Sequence, residues 1–541
     1  MAHYAIFIFS GIVGLAVFLR LYKLKQRGVL HFDDGLRMLE IVFLDELANY
    51  LKEVFPAIRA RKKIDMKPAA EAFKGRYLFD TNPLNIFIYF FSSRILKNIE
   101  HSALYANAVF GILGVLGTYY TSLLMFHSTA AALFAALFIS ISGYHLIYSR
   151  SIHAEVTCGA FYVWAVFFYL LSCKTGMMFY LLVSGFLVGC AFCCNTRQFY
   201  MPLFFFFWEI LADFKYSFSL DVILTRYILL GVSMAAPLFI IEEIFVVLKE
   251  LNYPYPSFFR QLFFRTGNFR PPSIKLPFLK MYVGILLEYE GIITLLALLS
   301  GIFFLFKSVS FEGVLLLTQF LVPLLFWSGR PDISKEEAQK IDDGTGGYAY
   351  ALPRLISSSL YSMAIIAALG LSAFLNLDKD MKLFNILLIV VLSSRILPLF
   401  KFVSIKSGYK HAAEFLLSSG NPRHISYCYP NSEFLTGKAN TIDVSSLKSE
   451  TEIRELCAKK NVYFVLYSDF LRENLYKSAA VDTFIDKVVN GTRPVFAIPT
   501  GMGDIKALYT EEYNSPWAII FLNDEIKIYD LRNYFDKIKE G

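Results

Sequence analysis

The sequence predicts a polytopic α-helical membrane protein that carries a soluble α/β domain in its C-terminal part. Three observations predict this fold class. Of the 541 residues, 56% are hydrophobic and only 18% are charged, which is less polar cover than the surface of a soluble protein requires. Apolar runs of the length that a bilayer demands recur over residues 4–400. From about residue 404 the composition changes, and short strand-like runs alternate with helical patterns.

Eleven apolar runs are candidates for membrane-spanning helices, because a span requires about 20 mostly apolar residues. Two of them, 199–211 and 314–327, are shorter than this and count only if their boundaries extend. We therefore expect about eleven transmembrane helices, in a range of roughly ten to thirteen. The runs cover residues 4–21, 103–124, 129–148, 157–173, 177–194, 199–211, 227–248, 282–306, 314–327, 350–375 and 383–400.

Residues 83–99 form an ambiguous segment, because they are apolar but few and include two basic residues. The segment either crosses the membrane or lies along the interface as an amphipathic helix. The distribution of Lys and Arg does not decide between the two. We favour the interfacial interpretation on functional grounds. It brings the loops around Asp33, Glu155 and Arg197, together with the C-terminal part, to one side of the membrane.

We divide the chain into a transmembrane domain, residues 1–403, and a soluble domain, residues 404–541. Residues of about 22–102 are expected to form the first extracytoplasmic loop, with interfacial helices. The soluble domain is expected on the same, extracytoplasmic side. Strand-like runs and helical patterns predict its α/β fold. The runs cover 424–429, 462–467, 494–499, 517–522 and 526–529, and the patterns cover 409–417, 446–459 and 470–489.

The polar composition excludes several classes of function. The formal net charge of +7 is spread near the membrane segments instead of forming one basic stripe. This fits contact with phospholipid or phosphate and gives no indication of nucleic-acid binding. With eight histidines and no metal-type spacing, no metal site is expected. The sequence also has no complete nucleotide-binding motif, so no cofactor is expected.

Two acidic sites follow apolar runs. Asp33 and Asp34 are adjacent carboxylates in the first extramembrane loop, and Glu155 begins the span after a short polar loop. Such carboxylates act as a general base or orient an acceptor hydroxyl. The structural alternatives are an N-cap on a helix over 35–51 for the aspartates, and an interaction with the helix dipole for Glu155. Each site alone favours its structural alternative, whereas two carboxylate loops on one face are more specific for catalysis.

Two arginines are candidates for phosphate binding. Arg197 lies in a polar break between two apolar runs, and Arg150 precedes Glu155 in its loop. A guanidinium group binds phosphate through its planar fork of donors. The alternative for Arg197 is a side chain that snorkels to the interface, which the sequence supports equally well. Arg150 has the alternative of facing lipid headgroups.

Five short segments occur in an informative order. They are Arg20-Leu21-Tyr22 with Phe32-Asp33-Asp34, Tyr77-Leu78-Phe79-Asp80-Thr81-Asn82-Pro83-Leu84, Tyr148-Ser149-Arg150 through Glu155, Thr196-Arg197-Gln198, and Tyr350-Ala351-Leu352-Pro353. In this order they resemble the GT-C superfamily of membrane glycosyltransferases. The resemblance is specifically to its protein-mannosyltransferase-like branch, which includes the aminoarabinose transferases of lipid A. It covers roughly residues 4–375.

Three positions depart from the family pattern. Asp34 stands where the family commonly has Glu, Asn82 stands in place of the first proline of a Pro-Pro-Leu segment, and Ala349 stands where the family often has Arg. The first departure leaves the choice of base between Asp33 and Asp34 open. The last one puts any phosphate contact from the late loop in doubt.

The resemblance implies an inverting transfer of a monosaccharide from a polyprenyl- or dolichyl-phosphate carrier to a hydroxyl of a protein, lipid or glycan. Arg197, with Arg150, would bind the donor phosphate. Asp33 or Asp34 would act as the base, and Glu155 would position the acceptor or share that role. The reaction would occur at the extracytoplasmic face of the plasma or inner membrane, with no metal. A transporter or flippase of lipid-linked sugars and a polysaccharide polymerase or ligase are the alternatives, although no internal repeat favours a transporter.

Overall fold

The computed structural model describes residues 2–30, 32–60, 83–250, 257–260, 273–274, 276–308, 310–327, 329–330, 356–375, 377, 381–420, 422–468, 479–501 and 524–540. The chain divides into two compact units. The first, which we call the membrane unit, contains Met1–Tyr22, Phe43–Lys97 and Ser102–Val403. The second, which we call the tail unit, contains Lys23–Val42, Asn98–His101 and Ser404–Gly541.

Helices make up most of the described chain. The first fifteen are α1 Ala2–Leu21, α2 Leu24–Arg27, α3 Phe32–Arg59, α4 Pro83–Leu96, α5 Ile99–Phe126, α6 Thr129–Ile141, α7 Gly143–Ser149, α8 Ala154–Thr175, α9 Met178–Cys194, α10 Tyr200–Tyr216, α11 Leu220–Glu250, α12 Leu276–Lys307, α13 Phe311–Trp327, α14 Ser359–Leu375 and α15 Met381–Ser404. The remaining five are α16 Gly408–Ser418, α17 Tyr429–Thr436, α18 Glu450–Lys460, α19 Ala479–Gly491 and α20 Leu531–Glu540.

Six helices of the described chain are long and apolar enough to cross a membrane, namely α1, α5, α8, α11, α12 and α15. Helices α6 and α7 meet the same criterion as a pair, which is bent by 59°. Four shorter helices, α4, α9, α13 and α14, are also apolar. The predicted polytopic α-helical membrane fold is therefore confirmed, and the protein is an integral membrane protein. The number of about eleven spans stays a prediction.

Ser142 lies at one of two breaks in the membrane helices and forms a hydrogen bond with a residue beside the other. Ser142 ends α6 and caps α7, because its Oγ accepts a hydrogen bond from the backbone N–H of His145 at 3.0 Å. Helix α12 is interrupted at Gly291, whose φ of 80° and ψ of 161° suit glycine. Ser142 Oγ donates to Oε1 of Glu290, the residue before the break, at 2.7 Å. A polar contact between the two breaks thus accompanies the bend between α6 and α7.

Arg20, in the last turn of α1, is completely buried. Its Nη2 donates to the carbonyl of Ile139 at 3.1 Å and to His145 Nδ1 at 2.8 Å, and its Nη1 donates to the carbonyl of Ser140 at 3.3 Å. His145 Nε2 in turn lies 3.0 Å from the hydroxyl of Tyr361 on α14. The last carbonyls of a helix have no partner within it. Arg20 therefore supplies the donors at the end of α6 and links α1, α6, α7 and α14.

The tail unit contains a five-stranded mixed sheet of order β4-β3-β5-β7-β6. Strand β3 pairs in parallel with β4 and β5, whereas β7 is antiparallel to β5 and β6. A short antiparallel pair, β1 and β2, belongs to the membrane unit. The strands are β1 Ser273–Ile274, β2 Gly329–Arg330, β3 His424–Ser426, β4 Thr441–Asp443, β5 Phe464–Ser468, β6 Phe496–Pro499 and β7 Glu525–Asp530. The predicted α/β character of this part is confirmed.

Candidate functional site

Glu155 is buried in the first turn of α8, where the helix dipole favours a carboxylate. Its Oε2 lies 3.7 Å from Nδ1 of His153. Asn107 on α5 donates through Nδ2 to the carbonyls of Ser151 at 2.5 Å and His153 at 2.7 Å. The hydroxyl of Tyr89 on α4 donates to the same His153 carbonyl at 3.5 Å. The loop that carries Glu155 is therefore held by α4 and α5.

Arg150 precedes this loop and is completely buried. Its Nη1 donates to the carbonyls of Leu19 at 2.9 Å and Arg20 at 3.0 Å, and its Nη2 donates to the carbonyl of Val403 at 3.0 Å. These carbonyls lie in the last turns of α1 and α15, where the helix supplies no donors. The alternative of a side chain that faces lipid headgroups is wrong, because Arg150 is not exposed. Both Nη groups are thus engaged by backbone carbonyls, whereas the buried Nε has no hydrogen-bond partner in the described structure.

Arg197 lies in a short 3-10 turn, Thr196–Gln198, between α9 and α10. Its side chain is outside the described part of the structure. The turn itself is anchored, because Gln198 Oε1 accepts hydrogen bonds from the hydroxyl of Tyr200 and, at 3.1 Å, from Ser358 Oγ. Tyr200 and Ser358 also contact each other at 3.0 Å. The segment before α14 therefore fixes the backbone that presents Arg197.

The Glu155 loop and the Arg197 turn lie at the same end of the membrane unit. Helices α8 and α9 pack against each other and are joined by only two residues, so they run antiparallel and the start of α8 lies beside the end of α9. Cys158, one turn beyond Glu155, interacts electrostatically with both Glu155 and Cys194. Cys194 is the last residue of α9, three positions before Arg197. The antiparallel packing of α8 and α9 therefore brings the Glu155 loop and the Arg197 turn near each other.

Asp33 and Asp34 lie in the first turn of α3, which begins at Phe32. The alternative of an N-cap is therefore wrong, since both residues are inside the helix. The side chain of Asp33 is outside the described part of the structure. Asp34 is 1% exposed, and its Oδ2 accepts a hydrogen bond from the backbone N–H of Leu30 at 3.0 Å. The two aspartates belong to the tail unit, whereas Glu155, Arg150 and Arg197 belong to the membrane unit.

Several polar residues that shape these loops were not identified from the sequence. Asn107 is a single polar residue within an apolar run, and its role depends on a loop 44 and 46 residues further along the chain. Arg20 and Glu290 gave a usable signal, because ionisable residues within apolar runs are costly and are kept for a reason. Among the residues that the structure describes, no three His, Cys, Asp or Glu side chains are grouped to hold a metal ion.

The sequence matches one family model, that of dolichyl-phosphate-mannose-protein mannosyltransferase, over residues 80–241. This range contains Arg150, Glu155 and Arg197. No curated protein matches the chain.

The fold is similar to that of two glycosyltransferases of known structure. ArnT from Cupriavidus metallidurans is 11% identical; its apo structure gives a TM-score of 0.52 and covers 91% of this chain and 92% of its own. The structure of ArnT bound to undecaprenyl phosphate gives a TM-score of 0.51 and covers 96% and 97% of the two chains.

The oligosaccharyltransferase AglB from Archaeoglobus fulgidus, in complex with an inhibitory peptide and a dolichol-phosphate, is 12% identical with a TM-score of 0.50. It covers 86% of this chain and 69% of its own. Together these comparisons confirm the predicted resemblance: residues 80–241 match the mannosyltransferase family model, and the fold is similar to the folds of ArnT and AglB.

Proposed function

We propose that the protein transfers a monosaccharide from a polyprenyl- or dolichyl-phosphate carrier to an acceptor hydroxyl at the extracytoplasmic membrane face, with inversion. One observation carries this proposal. The segment that matches the family model, residues 80–241, holds a buried carboxylate, Glu155, and the Arg197 turn at the same end of one helix pair. The carriers named for the structural neighbours, dolichol-phosphate and undecaprenyl phosphate, support a lipid-phosphate donor.

The connectivity of the chain supports placing Asp33 on the same side as these loops. Within the tail unit, Lys410 Nζ donates to Glu100 Oε2 at 3.0 Å and to the carbonyl of Lys25 at 3.2 Å. The residues directly before and directly after 43–97 both belong to the tail unit. Because this stretch starts and ends in the same unit, we infer that it crosses the bilayer an even number of times. Helix α4 has 14 residues and a length of about 21 Å. It is too short to cross about 30 Å of hydrocarbon alone, which favours an interfacial helix.

We infer an even number of bilayer crossings for the rest of the membrane unit as well. Between α5 and α15, the described helices supply ten crossings if α6 and α7 form one span and every other helix crosses once. An even number returns the chain to its starting side, where the tail unit follows. The loop before α8 and the turn after α9 then open on that side. With α1, this topology has about eleven spans, the number expected from the sequence.

The proposed chemistry assigns each group one task. The acceptor oxygen attacks the anomeric carbon, its proton passes to Asp33, and the bond between that carbon and the phosphate oxygen breaks. Arg197 stabilises the charge that develops on the leaving lipid phosphate, which lowers the barrier more than it strengthens ground-state binding. We assign the base to Asp33 because the Asp34 carboxylate is buried and accepts the Leu30 N–H. Glu155 positions the acceptor.

A transfer assay with purified protein tests these assignments. The donors are radiolabelled dolichyl-phosphate mannose and undecaprenyl-phosphate aminoarabinose, and the products are labelled acceptor and free lipid phosphate. Loss of a general base lowers the rate by about 10²–10⁴-fold, so we expect this loss for Asp33→Asn. Arg197→Ala should raise KM for the donor and lower kcat, whereas Arg197→Lys should recover part of both. Full transfer by both Asp33→Asn and Asp34→Asn contradicts the catalytic assignment, and unchanged donor affinity in Arg197→Ala contradicts the phosphate contact.

A labelling experiment tests the topology separately. Single cysteines are introduced at Ser93 in α4 and at Ser418 in α16, in a background in which the native cysteines are replaced. We expect a membrane-impermeant maleimide to label both from the extracytoplasmic side. Labelling of Ser418→Cys from the cytoplasmic side alone contradicts the proposed sidedness.

A further inference from the structure

Strand β3 is the topological switch point of the sheet in the tail unit. Its two parallel partners, β4 and β5, lie on opposite sides of β3. In α/β folds, ligands bind outside the carboxyl ends of strands at such a switch point. Helix α17 begins just after β3, with Pro430 in its first turn and Asn431 next to it. These two residues therefore lie where an α/β domain usually offers a binding site.

The first turn of α3 approaches this position to backbone contact. A Cβ atom added to Gly35 would lie 2.6 Å from the backbone nitrogen of Asn431 and 2.8 Å from the carbonyl carbon of Pro430. Those distances are shorter than real Cβ atoms tolerate, so only glycine fits at this position. Gly35 follows Asp33 and Asp34 directly. The turn that carries the acidic pair therefore packs on the start of α17.

The Asn431 side chain is part of the same contact. It is completely buried, and neither its Nδ2 nor its Oδ1 makes a hydrogen bond within the described structure. Its Oδ1 is the atom closest to the Cβ position of Gly35. A buried amide without a partner is costly. Its place beside the acidic turn suggests that the amide has a task at that turn.

A second contact holds the chain just before α3. Ser407 donates through its backbone N–H to the carbonyl of Arg27 at 2.8 Å and through its Oγ to the carbonyl of Val29. Gly28, between them, has a φ of +70°, and a Cβ atom there would lie 3.1 Å from Ser407 Cβ. Lys410, in the first turn of α16, donates through Nζ to the carbonyl of Lys25 at 3.2 Å. Residues 25–29 are thus held by hydrogen bonds to every second carbonyl, those of Lys25, Arg27 and Val29.

A third group of contacts surrounds Asp34. Tyr409 on α16 interacts electrostatically with Cys428, Asp524 and Asp34. Burial and the nearby Asp524 raise the pKa of the Cys428 thiol well above its usual value. Cys428 occupies the N-cap position of α17, two residues after the end of β3. Asp34 therefore faces the same corner of the tail unit as Gly35.

We propose that the soluble C-terminal domain positions the catalytic carboxylate, with Ser407 and Asn431 as the positioning residues. They hold residues 27–30 and 34–35, so that the first turn of α3, which carries Asp33, keeps its position while Asp34 stays anchored. The inference rests on the proposed function and gives the soluble domain a task in the reaction. Misplacement of a reacting group by about 1 Å can cost a factor of about 10² in rate. The close contact at Gly35 makes the position of the turn sensitive to a single methyl group.

The main test compares Gly35→Ala with a matched glycine variant in the full-length protein. Gly491→Ala is the control, because a Cβ atom there meets only the ring of Tyr534, at the ordinary distance of 3.8 Å. With dolichyl-phosphate mannose as donor, we expect Gly35→Ala to lower kcat by about 100-fold. KM for the donor should stay within about twofold of the wild-type value, because the donor phosphate is assigned to Arg197. The expected factor of about 10² in kcat comes only from the misplaced carboxylate. Gly491→Ala should match the wild type in both.

A second measurement separates positioning from misfolding. In Ser407→Ala, we expect faster amide hydrogen exchange over residues 27–35 with unchanged exchange in β5 and β7. Ser407→Thr keeps the hydroxyl and should restore both slow exchange and kcat. Asn431→Ala should lower kcat without changing KM for the donor.

Wild-type kcat in a folded Gly35→Ala variant overturns the proposal, and so does unchanged exchange of residues 27–35 in Ser407→Ala. Failure of the proposed function has a different signature, because the wild-type protein then transfers no sugar and releases no lipid phosphate. Transfer by Asp33→Asn at the wild-type rate contradicts the assignment of the base. A loss of kcat in both Asp33→Asn and Gly35→Ala, with donor KM retained, supports the positioning role.

Discussion

Replacing Glu209 by Gln should strongly destabilise the membrane unit. Glu209 and Arg226 are both completely buried and form a two-pronged ion pair, with Nε to Oε2 at 2.8 Å and Nη2 to Oε1 at 2.7 Å. The guanidinium also donates to Ser172 Oγ at 3.1 Å, so the pair links α8, α10 and α11. The substitution keeps the shape but removes the negative charge, and breaking a buried pair costs about 3–5 kcal/mol. We expect a loss of free energy of unfolding of that size.

The control is the second ion pair that α10 makes. Lys215 Nζ lies 2.7 Å from Glu312 Oε1, but the Lys215 side chain is 36% exposed. The Glu312 side chain is 11% exposed, but water reaches the pair through Lys215. Because pairs in contact with water contribute less than fully buried ones, Glu312→Gln should cost clearly less than Glu209→Gln. Both variants are unfolded by titration with SDS in mixed micelles and followed by tryptophan fluorescence. If Glu209→Gln costs as little as Glu312→Gln, lipid or water already compensates Arg226 and the reasoning is refuted.

Three further predictions concern the loop, the helix packing and the tail unit. Asn107→Ala removes the donors to Ser151 and His153, and we expect kcat for sugar transfer to fall about tenfold with KM for the donor unchanged. Gly301→Val should cost about 1–3 kcal/mol of unfolding free energy, because a Cβ there would lie 2.7 Å from the carbonyl carbon of Ile366; Gly284→Val, with nothing within 4 Å, is the control in the same SDS titration. Burial lowers the pKa of His424, so the unfolded chain takes up a proton that the folded one excludes. The stability of the tail unit should therefore fall as the pH decreases below about 6.5, and thermal unfolding of the wild type and His424→Gln from about pH 5 to 8 should show a weaker dependence in the variant.

The fold class was predictable because bilayer thickness sets the length of apolar runs, which any window along the sequence detects. The bend at Ser142 was not predictable in this way. It accompanies a hydrogen bond to Glu290, 148 residues further along the chain. A run read as one span, 129–148, is therefore two helices. The local sequence pattern thus predicts that an apolar helix exists, whereas a bend in it depends on contacts with residues far away in the sequence.

The strands of the tail unit show the same limit. Four predicted runs correspond to β3, β5, β6 and β7, and the run 517–522 lies outside the described residues. Strand β4 and helix α17 were not predicted. Strand β4 has three residues, Thr441–Asp443, of which one is buried, and such a short segment gives no alternation to detect. Its pairing with β3 defines it.

The candidate site was predictable in its residue types and only in part in their roles. Carboxylates and arginines beside apolar runs are costly and therefore stand out. The sequence did not show that Arg150 binds the carbonyls of Leu19, Arg20 and Val403. Nor did it separate Asp34 from Asp33, because the burial of Asp34 depends on residues of the tail unit. The last carbonyls of a helix need hydrogen-bond donors from elsewhere, and no local sequence pattern shows which residue supplies them.

The most direct test of the proposed function is a product measurement on the wild-type protein in lipid nanodiscs. Labelled sugar on a polyprenyl phosphate is supplied with a mixture of protein, lipid and glycan acceptors, and the free lipid phosphate and the anomeric configuration of the product are determined. We expect one free lipid phosphate for each sugar transferred, and a product of inverted configuration. Movement of the labelled lipid between leaflets without release of lipid phosphate would instead identify a flippase and contradict glycosyl transfer.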